Sequence, residues 1–232
     1  MTAEARQGVS DAVVRRLPGY YRYLRELEAA GERRISSQDL SERMGLTASQ
    51  IRQDLNHFGG FGQQGYGYNT SDLRQSIGEI LGLNRRYAMV IVGAGNIGRA
   101  VGGYPTFQRE GFDLCAVFDI ALHVVGQTVH GQTVQPLTAL DAYLATHVVD
   151  IAVLAVPAEA SRQVFARLVN GGVRAVWNFA PVDLVAPPDV TVHNVHLTDS
   201  LYRLTFRMRE KQAQAGQDAG QKQVAPPARS DD

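Results

Sequence analysis

The segment Gly93-Ala94-Gly95-Asn96-Ile97-Gly98 has the residue types and the spacing needed to hold a pyrophosphate. The first glycine permits a tight turn, the second lets the backbone approach the anion, and the third lets the following helix pack closely on the preceding strand. Amides at the start of that helix then face the phosphates with their partial positive charge. This chemistry needs a buried strand directly ahead of the glycines, and Val90-Ile91-Val92 supplies one. A second apolar run, Leu114 to Phe118, ends at Asp119, 26 residues beyond Gly93. A carboxylate there accepts hydrogen bonds from the hydroxyls of an adenosine ribose. No Lys or Arg follows within several residues to receive a 2′-phosphate, so the expected ligands are NADH and NAD⁺ in preference to their phosphorylated forms.

Two further strand ends fall on the same carboxyl edge, at Val156-Pro157 and at Asn178-Phe179-Ala180-Pro181, and Val156, Pro157 and Asn178 are candidates to line the nicotinamide side. An oxidoreductase would also need a proton donor or acceptor beside the nicotinamide. None can be assembled. The two lysines, Lys211 and Lys222, lie at or beyond the end of this segment, and His193 and His196 have no Cys or carboxylate neighbours to make a metal site. A binding module is therefore expected, not an enzyme, although an NAD-dependent oxidoreductase and a coenzyme-A or other nucleotide-binding module remain as rivals.

A different chemistry is written near the N-terminus. A helix capped by Ser37, running to about Met44 and ended by Gly45, is followed by a second, capped by Thr47 with Gln50 three residues on as a capping box. Ile51, Leu55 and Phe58 share the inward face of the second helix. Its outward face carries Ser49, Arg52, Gln53, Asn56 and His57, which with Gln50 are candidate DNA contacts, donors and acceptors suited to base edges and phosphates in a major groove. Behind it, Gly59 to Tyr68 alternates glycine with aromatic residues as a tight β-ribbon would, placing Gln63, Gln64 and Tyr66 in a wing. Upstream, Pro18 marks the bend or start of a helix, and Arg16 and Arg22 are candidates for phosphate contact.

These sites need two separate scaffolds, which 232 residues can supply. Helical periodicity dominates before Arg85-Arg86. From Tyr87 onward, the runs Tyr87–Val92, Leu114–Phe118, Val149–Val156 and Val173–Trp177 alternate with helical stretches, the pattern of a parallel sheet covered on both faces. The fold expected is α/β: an N-terminal winged helix-turn-helix domain (1–84), a C-terminal NAD(H)-binding Rossmann domain (85–199), a terminal helix (200–211), and a disordered tail (212–232) lacking large apolar residues. Twenty-three basic residues balance 23 acidic ones, so only local patches can attract DNA. The one cysteine, Cys115, suits a reducing cytosol, and no apolar run approaches a membrane span.

From about Ser10 to Met208 the sequence resembles the redox-sensing repressor family Rex. The resemblance rests on Arg16-Leu17-Pro18 with Tyr20-Tyr21-Arg22, on Ile51-Arg52-Gln53-Asp54-Leu55 before Phe58-Gly59, and on Phe61-Gly62 with Gly65-Tyr66-Gly67-Tyr68. The glycine motif, Asn178-Phe179-Ala180-Pro181 and Asn194-Val195 complete it. It implies a cytoplasmic homodimer whose terminal helix crosses to the partner subunit. It also implies repression through double-stranded operator DNA, with NADH releasing the operator and de-repressing genes for NADH reoxidation while NAD⁺ favours the DNA-bound form. Tyr104 and His196 fall at positions that the family uses for switching. Four departures stand out: Gln63-Gln64 where basic residues are frequent, Gln53 where Lys or Arg is usual, Ala121-Leu122-His123 in place of an Asp-Pro segment, and His196 in place of an acid.

Overall fold

The computed structural model describes residues 10–56, 62–63 and 67–222. The chain divides into two compact units between Arg86 and Tyr87, two residues beyond the expected boundary. The N-terminal unit is built on α1 (Asp11–Ala29), which Ser10 caps by accepting from the Val13 amide. Pro18 neither starts nor ends this helix but sits inside it. A proline there removes one intrahelical bond; the helix continues because Leu17, Tyr20, Leu24 and Leu27 all bury on one stripe.

Next come β1 (Arg34–Ile35), α2 (Ser37–Met44) and α3 (Ala48–Asn56). Ser36, one residue before the expected cap, holds α2 through a reciprocal capping box with Asp39, and Gly45 ends it in the left-handed conformation. Thr47 caps α3 by accepting from the Gln50 amide. The ribbon is present as β2 (Gly62–Gln63) and β3 (Gly67–Asn69), which with β1 form a three-stranded antiparallel sheet in the order β1-β3-β2. The helix α4 (Thr70–Ile80) closes the unit, capped by Asn69, and Leu73 and Ile77 join Leu40, Ile51, Leu55 and Tyr68 in its core. Helix, turn, helix and ribbon over one core make a winged helix.

The C-terminal unit contains β4 (Tyr87–Val92), α5 (Asn96–Gly102), α6 (Pro105–Arg109), β5 (Phe112–Asp119), β6 (Thr128–Val129), β7 (Gln132–Pro136), α7 (Leu140–Thr146), β8 (Ile151–Leu154), α8 (Ala158–Asn170), β9 (Ala175–Asn178), β10 (Thr191–Asn194) and α9 (Leu197–Lys222). One sheet runs β10-β9-β8-β4-β5-β7-β6, parallel except for the β6–β7 hairpin. With β4 as the first strand, this is the doubly wound order, whose crevice opens where β4 meets β5 on one side and β8 on the other. Val90, Val92, Ala116, Phe118, Ala152 and Leu154 face a core shared with α7 and α8. Met89, Ile91, Val117 and Val153 face the opposite core with α5 and α6.

Two expectations change. The strands β6, β7 and β10 carry no long β-branched run and were not foreseen. The segment 212–222 is helical, not disordered: α9 begins at Leu197 and continues to Lys222. Lack of apolar burial was the argument for disorder, but Glu210-Lys211-Gln212-Ala213-Gln214-Ala215 are strong helix formers and extend an existing helix without paying for a new nucleus. The rest of the tail, 223–232, lies outside the described residues. Among the described residues no helix is long and apolar enough to cross a membrane.

Candidate functional site

In the C-terminal unit, a cleft of about 520 Å³ opens at the carboxyl ends of β4, β5 and β8, within the size range of cofactor sites. Gly93, at φ +103°, makes the turn out of β4, and a Cβ there would lie 2.3 Å from the Ala155 carbonyl oxygen. Gly98 is buried, with any Cβ only 1.9 Å from the Gly93 carbonyl oxygen. Gly95 is exposed and has open space where its Cβ would be. The three glycines thus divide as expected into turn, approach and packing. The space over Gly95, the unpaired amides at the start of α5 and an acid across the cleft fit a dinucleotide pyrophosphate and ribose.

The acid is Asp119. Its Oδ2 accepts from the Ala94 amide at 2.6 Å and its Oδ1 from the Ala121 amide at 2.8 Å. A carboxylate has about four acceptor positions, so two remain for hydroxyls. Gly93, Gly95, Asn96, Ile97, Asp119, Val156 and Pro157 all line the cleft. Ala94 is buried, and its amide fixes Asp119. Asn178 is a correction. It is fully buried, donating to the Val182 carbonyl and to Asn194 Oδ1 at 2.8 Å and accepting from the Ala180 amide at 3.0 Å. It shapes the turn that carries Phe179 and Pro181 to the cleft, where they stand as lining residues. Ile120, Leu137 and Ala160 also line it. Leu137 follows β7, and without that strand nothing in the sequence pointed to it.

In the N-terminal unit, Ser49, Arg52, Gln53 and Asn56 are exposed along one face of α3, as the periodicity requires. Arg52 donates to Ser37 Oγ at 3.0 Å, which leans its guanidinium toward α2. His57, Gln64 and Tyr66 lie outside the described residues, and Gln63 is placed only by its backbone in β2. Arg16 and Gln50 are corrections, because both point inward to Asp54. Arg16 donates through Nε at 2.6 Å and Nη2 at 2.8 Å, Tyr20 through its hydroxyl at 2.7 Å, and Gln50 through Nε2 at 3.0 Å. Burial would raise the Asp54 pKa, but these donors hold it below the usual aspartate range. Burial and the Asp54 bond push the Tyr20 phenol upward. The sequence did hold a signal: Asp54 sits within the apolar stripe of Ile51 and Leu55, so a buried acid requiring a cation was to be expected.

Comparisons with known proteins match both units of the chain. A family model described as "Putative DNA-binding protein N-terminus" matches residues 8–56, and one described as "CoA binding domain" matches residues 84–182. The redox-sensing transcriptional repressor Rex of Thermoanaerobacter sp. (strain X514) is 47% identical over 204 residues, covering 88% of this chain and 91% of that protein. The chain belongs to the Rex family. Rex of Clostridium acetobutylicum is likewise 47% identical, over 89% of this chain and 97% of its own length. Among solved structures, that of RSP in complex with β-NAD⁺ and operator DNA shares 45% identity and a TM-score of 0.82 over 91% of this chain and 97% of that one. RSP in complex with β-NADH gives 43% and 0.83 over 91% and 99%. Rex relatives are transcriptional repressors, which sets aside the oxidoreductase rival.

Proposed function

We propose that this chain is an NADH- and NAD⁺-responsive transcriptional repressor, holding operator DNA through α3 and its wing and releasing it when NADH occupies the cleft. The observation that carries this reading is Asp119, fixed by the Ala94 and Ala121 amides directly across from the glycine turn, on a chain that also presents a polar winged-helix face. The related RSP, in complex with NAD⁺ and operator DNA and with NADH, supports the same ligands here. Leu197, Leu201, Leu204 and Met208 form an exposed apolar stripe on α9. Such a stripe needs a partner, and a second copy of this cytoplasmic chain supplies one. The test is a labelled duplex bearing the operator of a Rex relative, titrated with protein and then with each ligand. Release by NADH and persistence with NAD⁺ is the expected result; indifference to both would overturn the proposal.

Asp119→Ala leaves ribose hydroxyls without a charged acceptor and two backbone amides without their partner. NADH affinity should fall by about 2 kcal/mol, roughly thirtyfold, while the ligand-free protein still binds operator. Calorimetric titration of NADH decides it, and an unchanged Kd would remove Asp119 from the site.

Tyr104 and His196 are assigned to switching. Tyr104 is exposed and rests its ring on Phe107 at 4.8 Å. His196 Nε2 lies 2.9 Å from Asp183 Oδ1, and this bond, with the charges of Asp183 and Asp199, raises its pKa above the usual histidine value. The contribution of the charged pair is therefore present at about pH 6.5 and is lost as pH rises through the raised value. The NADH concentration for half-release should be steady below that pH and shift between there and about pH 8. His196→Asp should flatten the shift; parallel profiles for the two proteins at fixed salt would end the assignment.

A further inference from the structure

The carboxylate that receives the ribose is held in a closed circuit of hydrogen bonds that passes through a residue outside the glycine motif's invariant positions. Asp119 accepts from the Ala94 amide; the Ala94 carbonyl accepts from Arg99 Nε at 2.8 Å; Arg99 Nη2 donates to Gln127 Oε1 at 2.7 Å. Gln127 Nε2 donates to the His123 carbonyl at 2.8 Å, and the same loop returns to Asp119 through the Ala121 amide. Each member joins a different segment: glycine turn, α5, the approach to β6, and the loop after β5. A second strut runs from the same helix, since His130 Nε2 lies 3.0 Å from the Arg99 carbonyl.

The loop after β5 needs such a frame. Its far end is held by the Gly126 and Gln127 backbone bonds to Val134 and by Val124 packing on the sheet, but at its near end Ile120 and Leu122 are exposed, so the stretch beside Asp119 gains little from apolar burial. A guanidinium is suited to the task because its planar fork presents donors at fixed angles to two acceptors at once, which an ammonium does not. Nε and Nη2 are both directed to protein acceptors, the Ala94 carbonyl and Gln127 Oε1, which aims the fork at the loop.

We infer that Arg99 is a positioning residue for dinucleotide recognition, holding the Asp119 carboxylate in place through the Ala94 peptide and Gln127. The inference rests on the dinucleotide-binding function proposed above. Arg99→Leu should weaken NADH at least tenfold, and should weaken ADP-ribose by the same factor because the affected half of the ligand is common to both. Thermal midpoint and operator affinity of the ligand-free protein should stay near the parent values. Arg99→Lys should recover little of the loss, since it restores charge without the fork. In an Asp119→Ala background, Arg99→Leu should cost at most a twofold further loss, because a residue acting through Asp119 has nothing left to position. An unchanged Kd in the single variant, full rescue by lysine, or equal losses in both backgrounds would each overturn the inference. Failure of the parent protein to bind NADH would instead count against the proposed function.

Discussion

Asp54→Ala should destabilise the N-terminal unit by about 2–3 kcal/mol, because it leaves the buried Tyr20 hydroxyl without its acceptor and the partly buried Arg16 guanidinium without its counter-charge. Asp54 is fully buried and accepts four hydrogen bonds, two of them from the Arg16 guanidinium. Removing the carboxylate takes the acceptor from the buried Tyr20 hydroxyl and the counter-ion from Arg16. The double variant Arg16→Leu, Asp54→Leu should recover much of the loss, because replacing both members with apolar groups removes the orphaned charge. The pair also sets a pH dependence. The folded carboxylate titrates below its unfolded value. Its contribution is therefore complete above about pH 5 and is lost as pH falls through the lowered folded value. Chemical denaturation at pH 7 and at about pH 3 measures both effects. A loss under about 1 kcal/mol at pH 7 would show that the network is incidental. Because Asp54 joins α3 to α1, operator affinity should fall with stability, although Asp54 never meets DNA.

The same residue shows where sequence reading succeeds and stops. The inward face of α3 was legible from Ile51 and Leu55, and its outward face from Ser49, Arg52, Gln53 and Asn56, because a 3.6-residue period fixes both at once. Arg16 was not legible. A surface arginine and an arginine forked onto a buried acid look alike until the partner 38 positions away is known. The Rossmann half was readable from β4 through Asp119 because motif, strand and helix constrain one another within a short span. The segments β6, β7 and β10 escaped because their hydrophobic character comes from neighbours: Val129 and Val134 are buried by packing on the sheet, in runs interrupted by polar residues. Asn178 escaped for a related reason. Its position at a strand end suggested a ligand, whereas its role is to satisfy the backbone of its own turn.

Two of the cradle's three glycines separate folding from binding, and Gly98→Val should have the larger effect. A Cβ at position 98 would overlap the Gly93 carbonyl oxygen, backbone against backbone, so α5 must withdraw from β4 or the turn must deform. Overpacking of this kind costs about 3 kcal/mol or more, and the deformation falls on the surface that meets the pyrophosphate. NADH affinity should fall by at least about a hundredfold, some 2.7 kcal/mol. The winged helix has its own core, so operator binding survives and the protein represses without responding to NADH. Gly95→Ala is the contrast. Its backbone is ordinary for an alanine and nothing lies within 4 Å of the added carbon. The thermal midpoint should therefore hold while NADH affinity drops, since the methyl group occupies the approach the ligand needs. Thermal denaturation and NADH titration of both variants decide the matter. If Gly95→Ala binds NADH normally, the pyrophosphate does not cross the glycine turn; if Gly98→Val keeps both its midpoint and its affinity, the helix and strand are less closely coupled than a 1.9 Å approach requires.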